Sequence, residues 1–389
     1  MPQIDLADVP AVDAHTHPYH LKDLLERPSD GFDARITFMG ESFASSSKMH
    51  PDTWSTVDGY ADSTMLALVL RRWLAEHLGC EPTREAVTAA RDAALRSDPV
   101  VYTKALLDAA GVVAVLSDEG FPQPPIPREE FEATIGVDVH RVARLEPWIL
   151  AHRDGSFDDL VGGVVDEAER ASGDSRCVAI KTIVAYRSGL DVGDPTPGEA
   201  SEAFTRWRGG GFVEGRGEAK PVRDFLLQRM LEVAKRTDRV VHIHCGAGDP
   251  DIDLAHAAPV NLWPLLVAHQ DQPIVLIHSG YPWIADAAYI ASVLPNVHLE
   301  ISELVPWGWS MVDAALTTML GTAPAAKVLY GSDEAGEPEM FWLAARLARG
   351  SLERVLGRFV ERDHLTVDEA GAFGRMVLGG NTRRLHGLG

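Results

Sequence analysis

Cysteine is scarce: the 389 residues include three, Cys80, Cys177 and Cys245. So sparse and odd-numbered a set builds no disulfide framework and fits a reducing compartment. No apolar run is long enough to span a bilayer. The N-terminal stretch through Pro10 lacks the basic and apolar regions of a signal peptide. A soluble, cytoplasmic protein is the expectation. Positive charge is also in short supply, with 36 Lys and Arg against 57 Asp and Glu and a formal net charge of -21. A phosphate backbone would be repelled, which argues against nucleic acid as a partner. The first strand-to-helix turn carries no glycine fingerprint, which argues against an open dinucleotide-binding sheet. There is no internal repeat and no low-complexity tail.

What is present is an ordinary globular composition, 46% hydrophobic and 24% charged. Short Val- and Ile-rich runs end abruptly in polar or Gly-containing segments, and stretches of helical periodicity lie between them. That alternation marks βαβ units and a parallel sheet. Eight runs qualify as strands: Ala11–His15, Val112–Leu116, Val142–Pro147, Cys177–Ile183, Val240–His244, Ile274–His278, Val297–Ile301 and Lys327–Tyr330. Eight such units predict a closed (β/α)8 TIM barrel, with residues 1–389 as a single domain. About a hundred residues separate the first two runs, too many for a simple loop. Residues from about 20 to 110 therefore read as a helical insertion, with helices over Thr64–Leu78 and Thr83–Ala94. Following strand one, it should cover the C-terminal mouth of the barrel, where substrates of this fold bind. The stretch Asp191–Val213, rich in Gly, Pro and Trp, reads as a loop at the same mouth and a candidate lid.

Strand one ends in Asp13-Ala14-His15-Thr16-His17. Strand residues i and i+2 share a face, so both imidazoles can meet one metal, although a pair of loop histidines is equally consistent with this motif alone. Later strand ends change the balance. Strand four carries Lys181, strand five His242 and His244, strand six His278, and strand eight Asp333. All would converge at one mouth of a barrel. Neutral imidazoles and a carboxylate are the ligands that a borderline cation such as zinc prefers. His242 should lie one layer deeper than His244, as a satisfied buried histidine behind the site. On strand seven His298, Glu300 and Ser302 alternate, and Glu300 is placed to orient a ligand histidine. Asp249, Asp251 and Asp253 lack the spacing of a calcium loop and are expected to cap the next helix. Cys245 reads as a small packing residue.

These words together resemble the amidohydrolase superfamily. The closer likeness is to its amidohydrolase 2 branch, above all the domain fused to glutamine-synthetase-like proteins and its free-standing bacterial relatives. The matching words are Ala185-Tyr186-Arg187-Ser188-Gly189-Leu190, His244-Cys245-Gly246-Ala247-Gly248-Asp249, His278-Ser279-Gly280-Tyr281-Pro282, Val328-Leu329-Tyr330-Gly331-Ser332-Asp333 and Gly380-Asn381-Thr382-Arg383-Arg384-Leu385. The branch usually has an apolar or amide residue where His242 stands, and often Thr where Cys245 stands. The resemblance implies a metal-dependent hydrolase whose ligands are His15, His17, Lys181, His244, His278 and Asp333. One or two ions are implied, zinc by preference over manganese or iron, with Lys181 carbamylated if there are two. An ion pair, or a cationic grip on substrate, is the other reading of Lys181.

Asp333 is then the catalytic proton carrier, and His278 is the acid or electrophile of a one-metal variant. Tyr186, Arg187 and Tyr281 are candidates for substrate binding. Arg187 can clamp a carboxylate through its planar fork or serve a structural salt bridge. The expected reaction is attack of metal-activated water on an amide, ester or lactone carbonyl of a small, carboxylate-bearing substrate. A metal-dependent decarboxylase would use nearly the same residues, and a binding barrel without catalysis is the reading from another class. Homo-oligomerisation is compatible with all three.

Overall fold

A computed structural model describes residues 4–389; the first three residues of the N-terminal stretch lie outside the described residues. Eight strands run in chain order around one sheet: β1 (Ala11–Thr16), β2 (Val112–Asp118), β3 (Asp138–Arg144), β4 (Cys177–Thr182), β5 (Val240–His244), β6 (Ile274–Ile277), β7 (Val297–Glu300) and β8 (Val328–Leu329). Every neighbouring pair from β1 to β8 is parallel. The seam between β8 and β1 is closed by backbone bonds, Ala14 N to Tyr330 O at 2.9 Å, Asp333 N to His15 O at 2.9 Å and His17 N to Glu334 O at 2.7 Å. The fold is the expected (β/α)8 barrel.

Period two along the strands divides the barrel wall. Leu116, Val142, Ala179 and Val240 belong to one buried apolar cluster, and each shares its strand face with a polar residue nearer the strand end: Asp118, Arg144, Lys181 and His244. The polar groups thus sit above an apolar floor. Leu385 and Leu388 pack against this cluster from the C-terminal segment. The opposite faces, such as Val115, Ile180, Ile243 and Leu299, join the larger core formed with the helices.

Two of the sequence expectations are corrected. The third strand begins at Asp138 rather than Val142, and Leu145–His152 is helix. Pro147 falls in the first turn of that helix, where its missing N–H has no intrahelical acceptor to lose. The stretch 191–213 is mostly helix, Pro197–Gly209, rather than a lid loop. Its start is a capping box, with Glu199 N bonded to Thr196 Oγ1 and Glu199 Oε2 accepting from Thr196 N, and with Pro197 at the first turn. Phe204 and Trp207 are buried on its inner face.

Between β1 and β2 lie several helices, among them Phe38–Ser45, Met65–Leu78, Arg84–Ser97 and Pro99–Ala110. The last leads into β2 and packs against the long Glu339–Glu361 helix. Asp98 caps its start through Val100 N and Val101 N, and Gly111 in the left-handed region ends it. Arg91 of the Arg84–Ser97 helix is fully buried, paired with Glu337 and Glu339 and lying 4.5 Å over the Phe32 ring. Tyr102 Oη donates to Glu339 at 2.6 Å, and Arg35 Nε to Glu337 at 2.6 Å. This polar knot ties the segment before β2 to the start of the last long helix.

Among the described residues, no helix is long and apolar enough to cross a membrane. Cys177 and Cys245 are buried and Cys80 is half-buried. Burial pushes the Cys177 thiol up to about 11 and raises that of Cys245 further. Titration of the native protein with a disulfide reagent is therefore expected to modify Cys80 alone, and all three thiols after unfolding. Rapid native modification of two or more thiols would contradict this packing.

Candidate metal centre

The strand ends bring polar side chains to one mouth. His15 and His17 come from the end of β1, whose pairing with β2 shifts register between Ala11 and Val12 and again between Asp13 and Thr16. Such irregularities re-aim side chains at barrel rims. Both Nε2 atoms approach the same carboxylate oxygen, Asp333 Oδ1, at 3.1 Å for His15 and 3.7 Å for His17. The His15 ring lies 5.0 Å from His17 and 5.5 Å from His278, and the His244 ring lies 4.6 Å from His278. Lys181 Nζ sits 2.8 Å from His15 Nε2 and 2.8 Å from Asp118 Oδ2. The six expected ligand residues therefore do meet in one place. They line a cavity of about 190 Å³ together with Tyr186, Arg187, Glu41 and Glu303.

Backbone geometry holds them there. Among the described residues, seven non-glycine positions have positive φ, and four of these are His278, Ser279, Glu303 and Asp333. Strained backbone gathers at functional sites because the surrounding fold has to enforce it. Glu300 accepts from His278 N at 3.2 Å and Ser302 N at 2.6 Å, while Ser302 Oγ bridges Glu300 and His278 Nδ1. Gly331 gives this carboxylate its room: a Cβ there would lie 2.1 Å from Glu300 Oε1 and 3.2 Å from His15 N. Gly331→Ala is accordingly expected to cost about 1–3 kcal/mol of stability by overpacking. A thermal melt matching that of the unsubstituted protein would show that the site yields there.

Burial sets the protonation states. It drives His17 and His244 down to about 3, and His15 and His278 well below the ordinary imidazole range. Neutral imidazoles are the form that ligates metal. Burial also lowers Lys181, with Asp118 opposing it. At Asp118 burial works to raise the carboxyl, but Arg144 and Lys181 outweigh it and hold the group well below its usual value. Burial lifts Glu300 to about 8 and Asp13 to about 7.

The chemistry of this donor set fits a divalent cation. Ligand atoms around a tetrahedral zinc, at bonds of about 2.0–2.1 Å, lie roughly 3.3 Å apart. The spacings from Asp333 Oδ1 to the two imidazoles bracket that value. Among the described residues, three groups of donors have ligand atoms within 4.8 Å of one another: His15, His278 and Asp333; His15, His17 and Asp118; and His244, His278 and Glu303.

Other expected residues fall in different places. Tyr186 packs on His244 with ring centroids 4.6 Å apart, and its hydroxyl accepts from Asp249 N at 3.0 Å. Arg187 lines the cavity and has no hydrogen bond or ion pair among the described residues. Tyr281 is not in the cavity wall; its carbonyl accepts from Ala247 N and shapes the loop after β5. His242 is buried beneath the site, its Nε2 2.8 Å from His386 Nε2. His386 Nδ1 lies against the Thr382 carbonyl at 2.9 Å and so carries the proton there, which makes His242 the donor between the two rings. Of the three aspartates after β5, Asp253 caps the helix that follows, whereas Asp249 and Asp251 line the cavity and accept from Ser45 and Ser46.

Asp118, Arg144, Glu303, Glu41 and Asp13 belong to the site or its wall without having been singled out in the sequence. Asp118 and Arg144 carry the same signal as the others, a polar group at a strand end, but reading β2 as ending at Leu116 and β3 as running on to Pro147 hid it. Asp13 accepts from His15 N and Ser332 N, stitching β1 to the loop after β8. Strand alternation would turn Glu303 away from Ser302 and the lumen, and its positive φ brings it back.

Comparison with known proteins gives the following. The family model Amidohydro_2, described as amidohydrolase, matches residues 156–388, more than half of the chain. Protein fluG of Emericella nidulans is 32% identical over 229 residues, which cover 56% of this chain and 26% of that protein. The chain thus matches about a quarter of the length of this curated relative. A solved Lactobacillus casei ATCC 334 protein, provisionally described as a metal-dependent hydrolase, superposes with a TM-score of 0.82 at 23% identity, over 99% of this chain and 98% of that one. A uronate isomerase from Thermotoga maritima gives 0.65 at 17% identity, over 98% and 95% of the two chains.

Proposed function

Because the chain belongs to the amidohydrolase family, shown by the match over residues 156–388, we propose that it is a metal-dependent hydrolase acting on a carbonyl of a small, carboxylate-bearing substrate. The observation that carries this reading is the approach of His15 and His17 to one oxygen of Asp333 inside the cavity. His15, His17 and Asp333 would hold the principal ion, zinc by preference over manganese or iron, with His244 and His278 beside it. When bound, a divalent cation supplies Lewis acidity and makes hydroxide available near neutral pH.

The protein groups do the rest. Asp333 takes a proton from the attacking water and hands it to the leaving group, since its carboxylate faces both the ligand imidazoles and the cavity. Arg187, uncommitted to any carboxylate among the described residues, offers its fork to a carboxylate of the substrate. Lys181 stays an ammonium in this reading, because a carbamate would set its negative charge against Asp118. Glu41 and Ser45 reach the cavity wall from the helical segment after β1, so the whole chain works as one unit.

The test combines metal content with a substrate panel. Zinc-loaded protein is expected to hydrolyse at least one member of a panel of N-acyl amino acids, lactones and carboxylate esters, and His17→Ala is expected to lose both tightly bound zinc and that activity. Release of CO2 from an aromatic or enoic acid, with no hydrolysis, would instead favour a decarboxylase. A folded protein with no affinity for zinc or manganese would sink both.

A further inference from the structure

We propose that the catalytic cavity continues beside Asp333 into an aryl-binding subsite, which selects substrates whose carbonyl is joined to an aromatic ring bearing an oxygen acceptor. The inference deepens the hydrolase reading and rests on it for the position of that carbonyl. A second hollow, of about 160 Å³, adjoins the first, and Glu41, Ser45, Phe121, Asp333 and Ala335 stand in the walls of both. Arg187 lines the first hollow and not the second. A substrate whose carbonyl sits at Asp333 can therefore place its carboxylate in the first hollow and its remaining group in the second. An apolar cavity of about 150 Å³ is enough to take up benzene, so the second hollow has room for one ring and little more.

The walls suit a flat apolar group. Ile36, Ala44, Phe121, Trp307 and Met340 supply them. Trp307 is held in place, because its Nε1 donates to Ile36 O at 2.8 Å and its ring stacks on Phe38 with centroids 5.1 Å apart and planes 10° apart. Aromatic walls of this kind favour another ring, packed offset or edge-on. The polar end is equally defined. Arg27, Arg35 and Glu337 line the second hollow but not the first. Glu337 is shared by Arg27, Arg35 and the buried Arg91, and even with Glu339 set against Arg91, three guanidinium charges face two carboxylates. Arg35 gives Nε to Glu337 and Nη1 to Asp30 O at 3.2 Å, while its Nη2 is buried with no hydrogen-bond partner. A buried donor without an acceptor is costly, and an oxygen on the ring would satisfy it. The excess of positive charge favours a carboxylate there and repels an amine. Six of the lining residues, from Arg27 to Ser45, come from the insertion after β1, outside the span 156–388 that the family model matches.

Three N-sulfonylglycines test the subsite, since a sulfonyl group in place of the carbonyl prevents turnover. Zinc-loaded full-length protein is titrated in a calorimeter with the N-methanesulfonyl, N-benzenesulfonyl and N-(4-carboxybenzenesulfonyl) compounds. The phenyl probe is expected to bind at least about tenfold tighter than the methyl probe, and the carboxylated probe about tenfold tighter again, the worth of one charge-assisted hydrogen bond. Arg35→Met should erase the second gain and keep the first. Ala44→Phe fills the hollow from an exposed helix position, and should bring both aryl probes to within threefold of the methyl probe. That variant also serves if Arg35→Met does not fold. Three equal affinities in the original chain, or an aryl preference that survives Ala44→Phe, would overturn the subsite; hydrolysis of a carbonyl substrate alongside either result would leave the hydrolase reading standing. The expected order of affinities in a protein that hydrolyses no member of the substrate panel would do the opposite, keeping the subsite and removing that reading.

Discussion

Asp333→Asn is expected to lower kcat/KM on any hydrolysed substrate by about 10²–10⁴-fold, the usual worth of a positioned proton carrier, with the fold intact. The substitution keeps an oxygen near His15 Nε2, now 3.1 Å away, and keeps the side-chain volume. What disappears is the negative charge and the ability to take a proton. Asp333 stands at φ 57, and asparagine is among the few residues that adopt positive φ readily. Its backbone bond from N to His15 O, which helps close the barrel, is also untouched. The variant should therefore melt close to the original protein while being nearly inactive. Near-native turnover in metal-replete Asp333→Asn would remove Asp333 from the chemistry.

The largest expected loss of stability lies far from that carboxylate. Arg91→Leu should destabilise the protein by about 3–5 kcal/mol, because removing one partner of a buried ion pair strands the other. Glu339 would keep Tyr102 Oη and Glu337 would keep Arg35, but both would lose the guanidinium that joins them. Replacing Arg91 and Glu339 together with leucine should recover part of the loss, since no unpaired carboxylate then remains at that position. Denaturant unfolding of the two variants separates these cases. A single-substitution loss below about 1 kcal/mol would mean that the knot is solvated rather than buried.

Much of this molecule was legible in the chain because its chemistry sits where strands end. Apolar runs closed by His, Lys or Asp located β1, β4, β5, β6 and β8 together with their polar tips, and the order of those tips implied one mouth. The signal failed where the strand boundary itself was misjudged. Arg141 and His140 interrupt β3 with polar side chains, so its start could not be told from a loop, and carrying the strand on to Pro147 put Arg144 inside it rather than at its end. At 196–199 the local rule for a helix start was present, yet the Gly, Pro and Trp content of the surrounding stretch pointed to a loop. Glu303 was beyond reach for another reason: a non-glycine positive φ has no composition signature, and it reverses the face that alternation assigns.

The barrel seam also orders events during synthesis of the chain. His15 and His17 are made long before Asp333 and the backbone that pairs with β1. Until Val328–Leu329 emerges, β1 is a free edge and its two histidines lack the carboxylate they share. Closing so long a loop is slow, and an open sheet edge invites association with other chains meanwhile. Metal capture by a nascent chain therefore waits on the last strand, and an early-stopped fragment carries the histidines without the means to use them.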